Sequence, residues 1–433
     1  MNKIIILIPL FLFSVIPGLT QTDYNSIIRD GDKAMQNGNY LDALKKYDAA
    51  EAFDLASANL DLASINIAKA QKYINGLNLA KGNLAIVLNV PKGGTNPKYG
   101  FINKNGDVVI DYKYEDAAPF DYTGFARMKR TNHTGSKNNW EETTYLIDIT
   151  GKEYKSAYSL VDLKKDITAL DLRDTTIEAF PSGIFSQPQL KVLLLQGDLQ
   201  TPITIPGEIK KLQNRECFSS LSYIIDSLPS ETGLLNNLKS LIVSYSHLKS
   251  LPADIVKLEK LESLDLSGNS MAVFPAEIFS LSQLQSLNMA SNSFDKIPEQ
   301  IGNLEKLQQL DLQWNKLKSL PAQVGKLKNL QYLNLDKNIL ESLPDEIGQL
   351  KNLQDLVLTG NKLTGFPMEI LPLTNLESLD LSANRSLKTI PPEISKLKNL
   401  RTLKLVNTSI PVSEQTRIKN LLPWCYIIFK EQK

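Results

Sequence analysis

The feature that most constrains this chain is a rhythm: asparagines stand at 269, 292, 315, 338, 361 and 384, each 23 residues after the last. Prolines at 181, 206, 229, 252, 275, 298, 321, 344, 367 and 391 keep mostly to the same step. So short a unit cannot bury its own apolar side chains, so copies must stack and cover one another. Written from Leu261, the unit reads L-x-x-L-x-L-x-x-N-x-x-x-x-[FIL]-P-x-x-[IV]-x-x-L-x-x. Eleven units begin at Ile167, Leu190, Arg215, Leu238, Leu261, Leu284, Leu307, Leu330, Leu353, Leu376 and Leu400.

This pattern resembles the leucine-rich repeat in its L-P-x-x-I form, and the resemblance runs from about residue 161 to 433. It implies an α/β solenoid, a curved horseshoe with a parallel β-sheet on its concave face. Alternation along a strand sends Leu333 and Leu335 inward and Tyr332 and Asn334 outward, while Leu343, Ile347 and Leu350 supply the opposing wall of the core. The sharp turn after each strand strands backbone N–H and C=O groups, and an amide side chain can satisfy both kinds. Asn269, Asn292, Asn315, Asn338, Asn361 and Asn384 are therefore expected to be structural. The units at Ile167, Leu190 and Arg215 are irregular, and from about 412 the tail, with Leu421, Leu422, Trp424 and Ile427, is expected to cap the array with a short helix and strand.

Three unlike segments precede the array. Lys3, the apolar run Ile4 to Ile16 and Pro17-Gly18-Leu19-Thr20 have the layout of a signal peptide over residues 1–20. That run is 13 residues long, short of the roughly 20 that a membrane span needs. Over residues 21–83, Gly31, Ala34, Gly38, Tyr40, Ala43, Tyr47 and Ala50, then Ala56, Leu60, Ala63, Ile67, Ala70 and Ile74, predict a helical hairpin that resembles a single tetratricopeptide repeat. Over 84–160 the period becomes two. Lys98 to Ile110 reads as strand, Asn-Gly turn and strand, and the run with Tyr99-Gly100 resembles a WG-type β repeat, with a degraded copy from Tyr145. The polar stretch Arg130 to Thr143 is expected to be a mobile loop.

Lys plus Arg is 48 against 47 Asp plus Glu, so no whole-chain field favours nucleic acid or an anionic membrane surface. Catalytic patterns are missing: the only two histidines, His133 and His247, fall in different modules, and there is no H-E-x-x-H, paired C-x-x-C or phosphate-binding loop. Cys217 and Cys425 lie about nine repeats apart, roughly 40 Å at strand spacing, too far to bridge. Neither a cofactor nor a metal is expected, and carboxylates spread along a sheet do not converge on calcium.

What remains is the concave face, some 50 Å long by strand spacing. Its fifth column reads Ile242, Asp265, Asn288, Asp311, Asn334, Val357, Asp380 and Lys404, an alternation that keeps like charges two strands apart. Tyr245, Gln313, Trp314, Tyr332, Asp336 and Asp355 are assigned to the same face, with Trp314 and Tyr332 the foremost candidates for contact; each Asp or Asn reads equally as solvated filler. The expectation is an exported, monomeric, non-enzymatic scaffold, secreted or held in the envelope, that binds a protein or an extracellular polymer. Alternatives are a structural spacer of the envelope, or an intracellular adaptor if the N-terminus is not a signal peptide. The mix of modules suggests a bacterium. In a eukaryotic secretory route the sequons at Asn132, Asn384 and Asn407 would be glycosylation candidates.

Overall fold

The computed structural model describes residues 28–33, 46, 84–89, 98–103, 108–133, 140–175, 177–198 and 200–430. The signal-peptide segment and nearly all of the tetratricopeptide-like hairpin lie outside them; of the latter, residues 28–33 and 46 are helical. Two compact units divide at 156/157.

In the first unit, β1 (Ala85–Asn89), β2 (Lys98–Ile102) and β3 (Val108–Tyr114) form an antiparallel sheet. Gly100 has a steric reason to follow Tyr99: a Cβ there would sit 2.5 Å from the Ile110 carbonyl oxygen of the paired strand. A second antiparallel set is β4 (Asp116–Ala117), β5 (Phe125–His133), β6 (Trp140–Asp148) and β7 (Glu153–Ala157). Phe101, Ile110, Tyr114, Phe120, Met128 and Ile147 make the buried core. The expected loop from Arg130 to Thr143 is largely not a loop. Thr131 pairs with Glu142, Asn132 with Glu141 and His133 with Trp140, so the polar residues extend a β-hairpin whose backbone groups satisfy each other without an apolar face. Thr143 is buried.

The second unit carries eleven parallel strands, one per repeat: β8 (Ala169–Leu172), β9 (Val192–Gln196), β10 (Cys217–Leu221), β11 (Ser240–Ser244), β12 (Ser263–Asp265), β13 (Ser286–Asn288), β14 (Gln309–Asp311), β15 (Tyr332–Asn334), β16 (Asp355–Val357), β17 (Ser378–Asp380) and β18 (Thr402–Lys404). A helix, Val412–Leu421, and β19 (Tyr426–Ile428), parallel to β18, close the array. Leucines from every repeat join in one continuous buried cluster. Behind the sheet, each Pro leads into a 3-10 helix such as Asp345–Gln349. Acidic residues start many of these helices and Lys257, Lys326 and Lys396 end three of them, which suits the backbone dipole. Adjacent helices approach closely: a Cβ on Gly325 would meet the Glu346 carbonyl oxygen at 2.6 Å. Cys217 is buried and Cys425 half-buried, and neither is in a disulfide.

The irregular third repeat places Arg215 where the first has isoleucine and the others leucine, and it is 1% exposed. Its guanidinium donates to the carbonyls of Leu190 and, at 3.2 Å, Gln187, and among the described residues no carboxylate is paired with it. Burial lowers its pKa to about 10. A cation held by carbonyls alone recovers only part of its lost hydration. Moreover, Gln187 O already accepts from the Leu190 N–H. Arg215→Leu is therefore expected to raise the unfolding free energy by about 1 kcal/mol and Arg215→Ala to lower it by about 3 kcal/mol, read by calorimetric or denaturant melts. A lower melting point for Arg215→Leu would show that the buried hydrogen bonds outweigh desolvation.

Candidate functional site

The sheet face is built by register. Ile242, Asp265, Asn288, Asp311, Asn334, Val357, Asp380 and Lys404 pair laterally in one unbroken column, and Ser240, Ser263, Ser286, Gln309, Tyr332, Asp355, Ser378 and Thr402 form a second. Only part of this face is open. In β9 to β11, Val192, Leu194, Cys217, Ser219 and Ile242 are buried although they alternate with the core leucines, so both faces of these strands are covered. Runs such as Val-Leu-Leu-Leu already carry that signature, since a strand needs apolar residues on both sides only when both are buried. The half-exposed polar face runs from β12 to β18, about 29 Å at strand spacing rather than the 50 Å expected of the whole array.

Within that stretch the fifth column is spent largely on the fold. Asp265 Oδ1 accepts from Ser267 N–H, Asp311 Oδ1 from Gln313 N–H at 3.0 Å, Asn334 Oδ1 from Asp336 N–H and Asp380 Oδ1 from Ser382 N–H. The remaining atoms link repeats: Asn288 Nδ2 donates to Asp265 Oδ2 at 2.9 Å, Asn334 Nδ2 to Asp311 Oδ2 at 3.1 Å, and Lys404 Nζ lies 3.7 Å from Asp380 Oδ2. Asp265 and Asn334 are consequently buried. Alternation of acid and amide thus provides donors as well as spacing the charges.

Around the middle of the face, Asp311, Tyr332, Asn334, Asp336 and Asp355 come together, with Asp380 beyond. Burial, then the neighbouring Asp311 and Asp355, push the Tyr332 phenol well above its ordinary value. Burial likewise raises Asp336, whose Oδ1 finds no hydrogen-bond partner among the described residues. Asp311 is pushed up to about 6, by burial first and by Asp265 and Asp336, against the lowering hydrogen bonds from Gln313 and Asn334.

Tyr245 and Trp314 are not on the strands. They occupy the eighth position, where the chain turns off the sheet with left-handed φ values of 49° and 54°, and they project from the sheet's edge, 51% and 57% exposed. Gln313 lies between, its Nε2 3.4 Å from Asp311 Oδ2. Strand alternation ends before these residues, which is why counting by twos misplaces them.

Beside the face runs the asparagine column. Asn338 Nδ2 donates to the carbonyl of Leu312 in the preceding repeat (2.9 Å) and of Leu335 in its own, while its Oδ1 accepts from Leu317 N–H at 3.0 Å. Asn269, Asn292, Asn315, Asn361 and Asn384 repeat this arrangement. Asn384 is fully buried with its amide so engaged, which rules out its sequon as a glycan acceptor in the folded chain. A further column, unforeseen from sequence, includes Asn214, Asn237, Asn329, Asn352, Asn375 and Asn399, whose amides each donate to a carbonyl of the repeat before. Its signal was present as an Asn-Leu step across most of these unit boundaries.

Family models match this portion as a leucine-rich repeat region over 230–311 and 276–360 and as a leucine rich repeat over 351–410. The second unit is a leucine-rich-repeat solenoid. In the first unit, a WG containing repeat matches residues 99–132. Among solved structures the chain is similar to a leucine-rich-repeat protein of Leptospira interrogans, at 29% identity over 61% of this chain and 90% of that one, with a TM-score of 0.35. An internalin of Listeria monocytogenes is similar at 18% identity over 65% of this chain and 84% of that one, TM-score 0.49. The plant peptide hormone receptor RGFR1 in complex with RGF2 is similar at 25% identity over 56% of this chain and 44% of that one, TM-score 0.45. No curated protein matches. Among the described residues no helix is long and apolar enough to cross a membrane, and no group of His, Cys, Asp or Glu is placed to hold a metal ion.

The raised Asp311 gives the leucine-rich-repeat unit a pH signature. Its folded pKa, about 6, lies above the value of about 3.9 for an unfolded Asp, so protonation favours the fold. The resulting stabilisation is full below pH 4 and is lost as pH rises through 6. Asp311→Asn keeps an acceptor for Gln313 N–H and removes the titration. The variant is expected to flatten the fall in melting temperature between pH 4.5 and 7.5, and an unchanged slope would exclude Asp311 as its source.

Proposed function

We propose that the chain is an exported recognition scaffold that binds a protein partner on the open sheet face between β12 and β18. One observation carries this reading: a half-exposed polar face, with Tyr332 half-buried at its middle beside Asp311, Asp336 and Asp355, in an otherwise charge-balanced chain. A tyrosine offers a large contact area at small entropic cost, and carboxylates around it select a partner by charge. The leucine core behind that face fixes it in place before any partner arrives, so little ordering cost falls on binding. No side-chain constellation for group transfer accompanies this surface among the described residues. Export rests on the first 20 residues.

Crosslinking on intact cells, followed by capture with the full chain, tests the assignment. Tyr332→Ala combined with Asp355→Ala is expected to weaken capture of the crosslinked protein at least about tenfold, with the cooperative melt preserved. Undiminished capture removes the sheet face from the function. A reporter fused after residue 22 is expected outside the cytosol, and cytosolic retention would return the protein to the intracellular adaptors.

A further inference from the structure

Tyr245 and Trp314 are left over by the sheet-face reading, and they share an unusual setting. Both stand in the eighth column, Tyr245, Gly268, Ser291, Trp314, Lys337, Gly360, Ala383, Asn407, and all eight have φ between 49° and 66°. Glycine suits such a conformation; bulky aromatic residues avoid it. The Tyr245 ring rests against the next repeat, because a Cβ on Gly268 would lie 2.6 Å from its Cδ1. Its lower side is thus seated on backbone while half of the residue stays exposed. Trp314, three repeats on, is the more exposed of the two, and Lys337 Nζ lies 5.7 Å from its ring centre.

Three repeats separate the rings by about 14 Å. Between them the column holds only Gly268 and Ser291, and the neighbouring turn positions hold Ser270 and Ser293. The hydroxyls of Ser270, Ser291 and Ser293 make no hydrogen bond within the described residues, and no carboxylate or ammonium group interrupts these two columns between the rings. Backbone pairing with a visiting peptide is blocked: the N–H groups of Tyr245, Gly268, Ser291 and Trp314 already donate to Ser267, Ala290, Gln313 and Asp336. Between the rings a charged polymer finds no counter-charge; Lys316 and Lys337 stand only at the Trp314 end. The chemistry left between them is two flat π-faces and a line of hydroxyls.

We propose that this edge is a binding shelf for an uncharged linear glycan, with sugar rings stacked on Tyr245 and Trp314 and sugar hydroxyls bonded to Ser270, Ser291 and Ser293. The face of an aromatic ring is electron-rich and attracts the polarised C–H bonds of a pyranose, and serine hydroxyls both donate and accept. The shelf is separate from the sheet face and stands or falls independently of the protein partner.

Titration calorimetry of the full chain with cellohexaose, chitohexaose, mannohexaose and maltohexaose tests it, with alginate and an acetylated hexa-arginine peptide as charged comparators. At least one neutral hexasaccharide is expected to bind. Trp314→Gly and Tyr245→Gly should each weaken that binding at least about tenfold. Both variants should melt no lower than the parent, since glycine relieves the left-handed backbone, which separates loss of a contact from loss of the fold. Tyr332→Ala should leave glycan affinity unchanged. Failure of all four sugars to bind, binding that survives both glycine variants, or binding of the charged comparators alone would overturn the proposal.

Discussion

The structure of the repeat unit depends on one side-chain amide. Each ladder asparagine donates to a backbone carbonyl 26 residues earlier and accepts from a backbone N–H 21 residues earlier, so every copy ties two consecutive turns of the solenoid. Leucine burial supplies most of the driving force but is indifferent to register, because any apolar side chain of similar volume can slide against another. A buried amide with three hydrogen bonds cannot slide without leaving polar groups unpaired. Register therefore comes from asparagine and adhesion from leucine, and the flat lateral columns of the sheet face follow from the two together. Where the asparagine is replaced the need for a partner persists: Tyr223 takes that position in the third repeat, and its hydroxyl donates to the Gln196 carbonyl.

Periodicity in the sequence was sufficient to locate the strands, the turn prolines and the asparagine ladder, because each is a local pattern repeated in register. The first-unit hairpin around Tyr99-Gly100 was legible for the same reason. Less legible were features set by what lies across from a residue. Polar residues from Arg130 to Thr143 read as loop since their pairing is with each other and leaves no apolar stripe. Tyr245 and Trp314 were assigned to the strand face by alternation, which stops at the left-handed turn. The fifth column was recognised as alternating in charge, yet its hydrogen bonds to the backbone two residues on could not be read from composition.

These corrections change what the candidate site is. An aspartate whose Oδ1 caps a turn and whose Oδ2 accepts from the neighbouring asparagine has little left for a partner without breaking the ladder. The second column is different, because Gln309, Tyr332, Asp355 and Ser378 are half-exposed. A repeat fold can vary such residues freely, since the amide and the leucines already define the backbone. On the proposed reading, contacts that select a partner fall in the second column, with the fifth as their electrostatic floor.

The same division of labour accounts for the edge. At the eighth position the backbone conformation is imposed by the turn whatever residue occupies it, so glycine at 268 and 360 is the comfortable choice and an aromatic residue is the costly one. The cost is tolerable because it is local: the N–H of Trp314 keeps its bond to Asp336 O, and the ladder beneath is intact. A solenoid can thus carry a strained, exposed ring on every turn without altering its core. It carries two between the fourth and seventh repeats, on either side of Gly268 and Ser291, and no packing requirement of the leucine cluster asks for either.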